Sequence, residues 1–371
     1  MINPHIKEFP SQTEMSGFYV IYHGSAGGEV DGQRGLTHLI EHLGCTTVKK
    51  LESDMDDNAI SWNAMTADDS MVFYMTGIAE RVSKMVQPFL NKVLHPTFTE
   101  KEFERERKVV LQEYQDSFNA QTGCHYYNLM RAKYGYCTPI GYREDLEKTT
   151  YKDCLNLVQQ VRRPSEIIAV GLPSLKGLDK IRFADPFTFP PLSINHNKKL
   201  KFESFKSNDN ASLIMLSNPL PRTELPTASF LARVLGQGFR SPLYKELRDA
   251  RGLVYYVSTY PTEVRKSGLF GLNTETSKKK AKEAAKVIQD VLHNPKKYIT
   301  SSRVESVRQH LRAKKKINDL FLYERLGSLM NPETSVYSAV DTVTVADLRQ
   351  LCEKVIQPIS IDSDGYKHVN G

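Results

Sequence analysis

Apolar residues recur along this chain with two different periods, and the alternation between the periods sketches its elements. Phe18-Tyr19-Val20-Ile21-Tyr22-His23 is dense in β-branched and aromatic side chains and predicts a strand, after which Gly24, Gly27 and Gly28 mark a loop. The apolar run over 35–48 predicts a helix, and Asp54-Met55-Asp56-Asp57-Asn58 is a polar break. Residues 60–67 and 70–77 read as two strands turned at Ala67-Asp68-Asp69, an antiparallel pair. Val82, Met85, Val86, Phe89, Leu90 and Val93 follow helical spacing over 79–93, and Pro96 closes that helix. The next helix starts at Thr99, with Glu102 in the capping-box position, and runs through Tyr114. Helices over 121–134 and 149–161 and a strand over 167–171 complete the first half.

The pattern then fades. Pro186, Pro190 and Pro191 sit among polar residues between about 175 and 200, which predicts a linker. Beyond it come strands near 200–202 and 212–216, amphipathic helices over 277–293, 301–329 and 344–355, a strand at 359–361 and a polar tail from 363 to 371. Both halves share one order of elements, and 371 residues are too many for one ordinary core. The expectation is an α+β protein of two tandem related α/β-sandwich domains, 1–185 and 186–371, each a mainly antiparallel sheet packed with helices.

Composition narrows the classes. Hydrophobic content of 40% and charged content of 25% are those of a soluble globular protein. The net charge is +7, and the clusters Lys278-Lys279-Lys280 and Lys314-Lys315-Lys316 lie in helical stretches without interleaved aromatics. They read as solvated helix faces, so no nucleic-acid partner is expected. Cys45, Cys124, Cys137, Cys154 and Cys352 form no CxxC pair, which favours reduced thiols. The first residues carry neither a secretory h-region nor an arginine-rich presequence, and no run of about 18 apolar residues is present. A cytoplasmic location away from membranes is the expectation.

The chemistry concentrates in the helix over 35–48. His38-Leu39-Ile40-Glu41-His42 puts two histidines one turn apart on one face, with Glu41 beside them. Two imidazoles in that relation can bind one metal ion, and zinc catalysis adds a carboxylate that takes a proton from water. This order, with Glu before the second His, is the inverzincin pattern. By itself the pentapeptide fits a buried helix carrying two histidines equally well. Glu106 and Glu113 are seven apart on a later helix, beside the apolar Val109 and Val110. Glu113 is a candidate third zinc ligand and Glu106 a candidate orienting carboxylate. Cys45 lies three residues past His42 and reads as a small buried hydrophobe in preference to a ligand. His125 reads as a packed or partly exposed side chain.

Taken together, these residues resemble the pitrilysin family of zinc peptidases, also called M16 or inverzincins, which includes mitochondrial processing peptidases, insulin-degrading enzyme and many bacterial peptidases. The family pattern is His-x-x-Glu-His followed some seventy residues later by Glu-Arg-x-x-Val-x-x-Glu. Here the second part is Glu106-Arg107-Lys108-Val109-Val110-Leu111-Gln112-Glu113, with Glu113 71 residues beyond His42 (113 − 42). The resemblance implies that His38, His42 and Glu113 bind one Zn2+ per chain, that Glu41 is the general base and that Glu106 supports the site. The family's edge strand, which pairs with substrate backbone, resembles Trp62-Asn63-Ala64-Met65-Thr66, so Asn63 and Ala64 are implied in substrate binding. Ser241 to Ser258 is similar to a family segment whose Arg and Tyr contact the substrate and scissile carbonyl, which implies those roles for Arg248 and Tyr255. The sequence departs from the family at Asp57-Asn58, where a glycine pair is usual, and at Gly44-Cys45-Thr46-Thr47, where an aromatic-Lys-Gly-Thr is usual. The two-domain length resembles the processing-peptidase type. It implies a peptide or unfolded-protein substrate and a homodimer, or a heterodimer with a related subunit. A non-catalytic scaffold or peptide-binding member of the same fold is the alternative.

Overall fold

The computed structural model describes all residues except 1–3, 120, 137, 162, 174, 176, 186–191, 193, 195–208, 319–327 and 364–371. Pro186, Pro190, Pro191, Cys137, the strand expected near 200–202 and the end of the tail lie outside the described residues. The described residues of Met1–Gln115, Cys137–Pro190 and Asn318–Leu326 form one compact unit. Those of Asp116–Tyr136, Pro191–Ile317 and Gly327–Gly371 form the other.

The first unit is built from β1 (Ile6–Phe9), β2 (Met15–His23), α1 (Leu36–Val48), α2 (Glu52–Asp57), β3 (Ser61–Thr66), β4 (Ser70–Ile78), α3 (Ala79–Leu94) and α4 (Glu100–Asn119) as far as Gln115. After α5 (Gln121–Tyr134), which belongs to the second unit, come α6 (Arg143–Lys148), α7 (Tyr151–Val161) and β5 (Glu166–Val170). The sheet order is β1-β5-β2-β4-β3, with β1 parallel to β5 and the other pairs antiparallel. On one face of the sheet Phe18, Val20 and Tyr22 of β2 and Met71, Phe73 and Met75 of β4 pack with Leu39, Ile40 and Leu43 of α1 and Val82, Val86 and Phe89 of α3; Tyr19, Ile21 and Val72 on the other face are buried as well. Each large side chain buried there contributes roughly 1.5–3 kcal/mol. Gly44 is what lets α1 lie so close to β4, because a Cβ at this position would sit 2.6 Å from the Phe73 ring.

Three short elements of this unit escape the periodicity. α2 replaces the expected polar break; Met55 is its single buried residue, and Glu52 and Asp54 sit in its first turn, where negative charge favours a helix. β1 and α6 have four and six residues, too few to repeat a pattern. The capping box is as expected: Thr99 N–H donates to Glu102 Oε2 at 2.6 Å, and Glu102 N–H donates to Thr99 Oγ1 at 3.2 Å.

The second unit has a sheet of β6 (Asn210–Leu216), β7 (Leu220–Pro221), β8 (Ser258–Val264), β9 (Ser267–Ser277) and β10 (Ser360–Asp362), with β9 paired to β6, β7 and β8. Leu213 and Met215 point into a core shared with Phe230 and Leu231 of the helix Leu225–Gly236 and with Ile288 and Val291 of the helix Ala281–His293. Ile214 and Leu216, on the opposite face of β6, pack with Leu129, Met130 and Tyr134 of α5. Residues 116–136 therefore join the second sheet, which differs from the expected halves of 1–185 and 186–371 in this segment. The stripe on α5 marks a helix with an apolar side; nothing in its spacing says which sheet that side meets. Of the helix expected over 301–329, Ser301–Asn318 and residues 328–329 are described, and all of these are helical.

Candidate metal centre

α1 presents His38 and His42 on one face, as their spacing predicts, with ring centroids 4.8 Å apart in an edge-to-face arrangement. α4 brings Glu113 against both. Its Oε2 lies 3.5 Å from Nε2 of His38 and 3.6 Å from Nε2 of His42. The three donor atoms lie within 4.8 Å of one another, and among the described residues no other trio of His, Cys, Asp or Glu is so gathered. Separations of 3.5 and 3.6 Å are too long for hydrogen bonds between these atoms. They are close to the spacing of about 3.4 Å between neighbouring donors on a tetrahedral zinc ion with bonds of about 2.0–2.1 Å. Two imidazoles and a carboxylate are a zinc donor set, so these residues fit the ion that the motif implies.

The supporting groups treat the two histidines differently. Nδ1 of His42 faces Oε2 of Glu106 at 3.5 Å. Glu106 is in turn held through Oε1 by Arg105, whose Nε donates at 2.9 Å, and by the Thr46 hydroxyl at 3.3 Å. A carboxylate behind a metal-binding histidine can orient its ring; at 3.5 Å this pair is an electrostatic contact and not a hydrogen bond. Nδ1 of His38 is buried and has no hydrogen-bond partner. Burial, and secondarily the charge of His42, pushes the His38 imidazole down to about 4, which keeps it in the neutral form that a metal requires.

Glu41 lies beside this trio and is only 8% exposed. Its Oε2 accepts from the Thr66 hydroxyl of β3 at 2.8 Å, and its Oε1 faces the Cys45 thiol at 3.9 Å. Burial raises the Glu41 carboxyl above the ordinary carboxylate range, while the Thr66 hydrogen bond and the charge of His42 pull against it and Glu113 adds to it. Cys45 is half-buried, and its thiol is pushed up to about 12, first by burial and then by Glu41. It is a weak donor to Glu41, and its sulfur is not among the donor atoms gathered at His38, His42 and Glu113; it is also more than the simple hydrophobe its sequence position suggests.

β3 pairs with β4 on one side and ends the sheet on the other. Asn63 is exposed and Ala64 partly so. The Ala64 N–H donates to the side-chain Oδ1 of Asn63 at 2.9 Å, which places that backbone group on the outer edge of β3. Arg248 and Tyr255 are in the second unit and are brought together there. The Arg248 guanidinium lies 4.8 Å from the Tyr255 ring centroid and 5.0 Å from that of Tyr244, and Tyr255 is 78% exposed. Arg248 sits on a π-type turn, Lys245–Asp249, and the chain reverses at Gly252 (φ +56°) before the strand begins at Ser258. The approach of Tyr255 to Arg248 thus comes from a turn, and Leu253 to Val257 do not yet form a strand.

Thr66, Thr46 and Arg105 were not singled out by the sequence. Thr46 is four residues after His42 and Arg105 adjoins Glu106, so helical spacing held that signal. Thr66 is 25 residues from Glu41 on another element, where spacing carries none.

Known proteins bear on this site. A family model described as Insulinase (Peptidase family M16) matches residues 11–136, and one described as Peptidase M16 inactive domain matches residues 171–311. The chain is similar to Zinc protease PqqE of Helicobacter pylori, with 24% identity over 292 residues that make up 68% of this chain and 62% of that protein, less than two thirds of its length. It is also similar to an uncharacterized zinc protease of Rickettsia bellii, with 20% identity over 358 residues, 88% of this chain and 86% of that protein. The crystal structure of a protease from Helicobacter pylori has the same fold, with a TM-score of 0.81 at 18% identity over 96% of this chain and 95% of that one. Among the described residues no helix is long and apolar enough to cross a membrane.

Proposed function

This chain belongs to the M16 family of peptidases, and from that premise we propose that it is a zinc-dependent endopeptidase acting on peptides bound in extended form. The observation that carries the reading is the convergence of His38, His42 and Glu113 with the buried Glu41 beside them. His38, His42 and Glu113 would hold one zinc ion per chain, with Glu106 steadying His42. Bound zinc supplies a Lewis acid that polarises the scissile carbonyl and acidifies water. Glu41 takes the proton of the attacking water and returns it to the leaving amine as the C–N bond breaks. Thr66 fixes the orientation of that carboxylate. The substrate backbone pairs with the outer edge of β3 at Asn63 and Ala64. Arg248 and Tyr255 donate to the charge that develops on the carbonyl oxygen, and in this reading they serve the site of a second copy or of a related subunit.

The test combines metal analysis with cleavage of a mixed peptide library by the wild type and Glu41→Gln. The expected result is about one zinc per chain in both proteins, cleavage by the wild type, and loss of at least about a thousandfold in rate for the variant, the scale at which a lone base removal acts. Stoichiometric zinc with no wild-type cleavage of any peptide would sink the peptidase reading. A second reading, a non-catalytic scaffold or peptide-binding subunit, draws on the match of residues 171–311 to a domain described as inactive. That match lies wholly outside His38 to Glu113, and the second half carries no His-x-x-Glu-His.

A further inference from the structure

The start of α1 has an unusual cap. Its N-cap position is Gly35, at φ +93° and ψ 0°, with no side chain to accept from the first turn. Serine, threonine and aspartate, the usual caps, are barred here on two counts. The positive φ favours glycine, and a Cβ would lie 3.0 Å from both Gly141 Cα and the Ile140 carbonyl oxygen. The first turn must find its acceptor elsewhere. It finds Glu29, six residues upstream. Oε2 of Glu29 accepts from the Gly35 N–H at 2.7 Å, and Oε1 accepts from the Thr37 N–H at 2.6 Å. Both carboxylate oxygens are thus used on the two residues that flank Leu36, and the second of them directly precedes His38. The preceding loop is held separately, by Asp145 Oδ2 accepting from the Gly32 and Arg34 N–H groups at 3.0 Å each.

We propose that Glu29 is a positioning residue of the metal centre: its carboxylate clasps the Gly35 and Thr37 N–H groups and so holds the first turn of α1 where His38 meets Glu113. His42 has a carboxylate behind its ring, with Glu106 Oε2 3.5 Å from Nδ1. His38 has no hydrogen-bond partner on Nδ1, so its placement rests on the backbone that carries it. A carboxylate is the group for this task because it accepts at both oxygens; an amide of the same shape accepts at one and opposes an N–H with the other.

This inference rests on the metal-centre reading above, and its test separates the two. Zinc affinity is measured by competition with a chromogenic chelator, and ligand geometry by the visible spectrum of the cobalt(II)-substituted protein, for the wild type and Glu29→Gln. The variant is expected to keep the far-ultraviolet dichroism of the wild type, to bind zinc about 10-fold or more weakly, as loss of a group behind a ligand does, and to show altered cobalt bands. A merely structural role would lower the melting midpoint and leave zinc affinity and cobalt bands at wild-type values, which overturns the proposal. Should Glu29→Gln not fold, Glu29→Asp decides by the same two measurements. It keeps the charge and shortens the reach by one methylene, so weaker zinc binding with altered bands supports the clasp and wild-type values overturn it. A wild type that takes up neither zinc nor cobalt overturns the metal-centre reading itself, together with this one.

Discussion

A buried base is useful only if its lone pairs point at the proton it must take, and in the proposed mechanism Thr66 aims Glu41. Its hydroxyl donates to Oε2 at 2.8 Å, whereas the sulfur of Cys45 is 3.9 Å from Oε1 and a weaker donor. Thr66→Val keeps the shape and removes the donor. We expect kcat to fall about 10-fold with KM and zinc content unchanged, the size of one hydrogen bond to a charged group; Thr66→Ser should retain most of the rate. Steady-state kinetics on a cleaved library peptide would show this, and a wild-type kcat for Thr66→Val would remove Thr66 from the mechanism. At this scale the sequence was most readable where the gathered side chains share one helix or repeat a spacing, as His38, Glu41, His42 and the pair Glu106 and Glu113 do. It was silent where a partner arrives from another element, as Thr66 does, or where a cap is supplied from outside its usual position, as by Glu29.

Among the elements, β3 is the one whose position in the sheet matters most to the proposed function. As the last strand beyond β4 it has a row of backbone groups with no ladder partner. The Ala64 N–H is on that outer row, since it meets the Asn63 side chain and not β4. Proline at this position therefore costs no ladder bond within the sheet. Ala64→Pro is expected to lower kcat/KM for peptides about 10-fold or more, chiefly through KM, with the melting midpoint within a few degrees of wild type. If the variant cleaves as well as the wild type, substrate does not pair with this edge. The strands and long helices were legible from their periods, but the sheet to which α5 attaches was not. That attachment includes His125, which is fully buried, with ring nitrogens 3.1 Å from Ser212 Oγ and 2.8 Å from Ser360 Oγ. Burial pushes its imidazole down to about 4. The folded form thus holds His125 neutral, and the stability this provides is present above the unfolded pKa of about 6.5 and is lost as pH falls towards 4. Over that window the loss is expected to reach about 3 kcal/mol. His125→Gln should flatten the decline in urea-unfolding measurements at pH 7 and pH 4.5, and parallel curves for the two proteins would refute the assignment.

The whole molecule divides its proposed machinery between two units: His38, Glu41, His42, Glu106 and Glu113 in one, Arg248 and Tyr255 in the other. A peptidase arranged this way can complete its site within one chain or across two copies, and a mixture of defective chains distinguishes these. Glu41→Gln lacks the base, and Tyr255→Phe lacks the phenol that is exposed beside Arg248. In a homodimer whose sites are completed across copies, a mixed pair holds one site with both defects and one site with neither. Random mixing in equal amounts makes half the dimers mixed, so about a quarter of the wild-type activity should appear from two preparations that are each nearly inactive. Completion within one chain leaves every site with a defect, and mixing restores nothing. The activity must also rise with the time allowed for subunit exchange, because recovery that is instantaneous on mixing would point to contaminating wild type. Sedimentation of the same mixture supplies the remaining condition: a single-chain species at the assay concentration, together with wild-type activity, would rule out completion across copies whatever the mixing result.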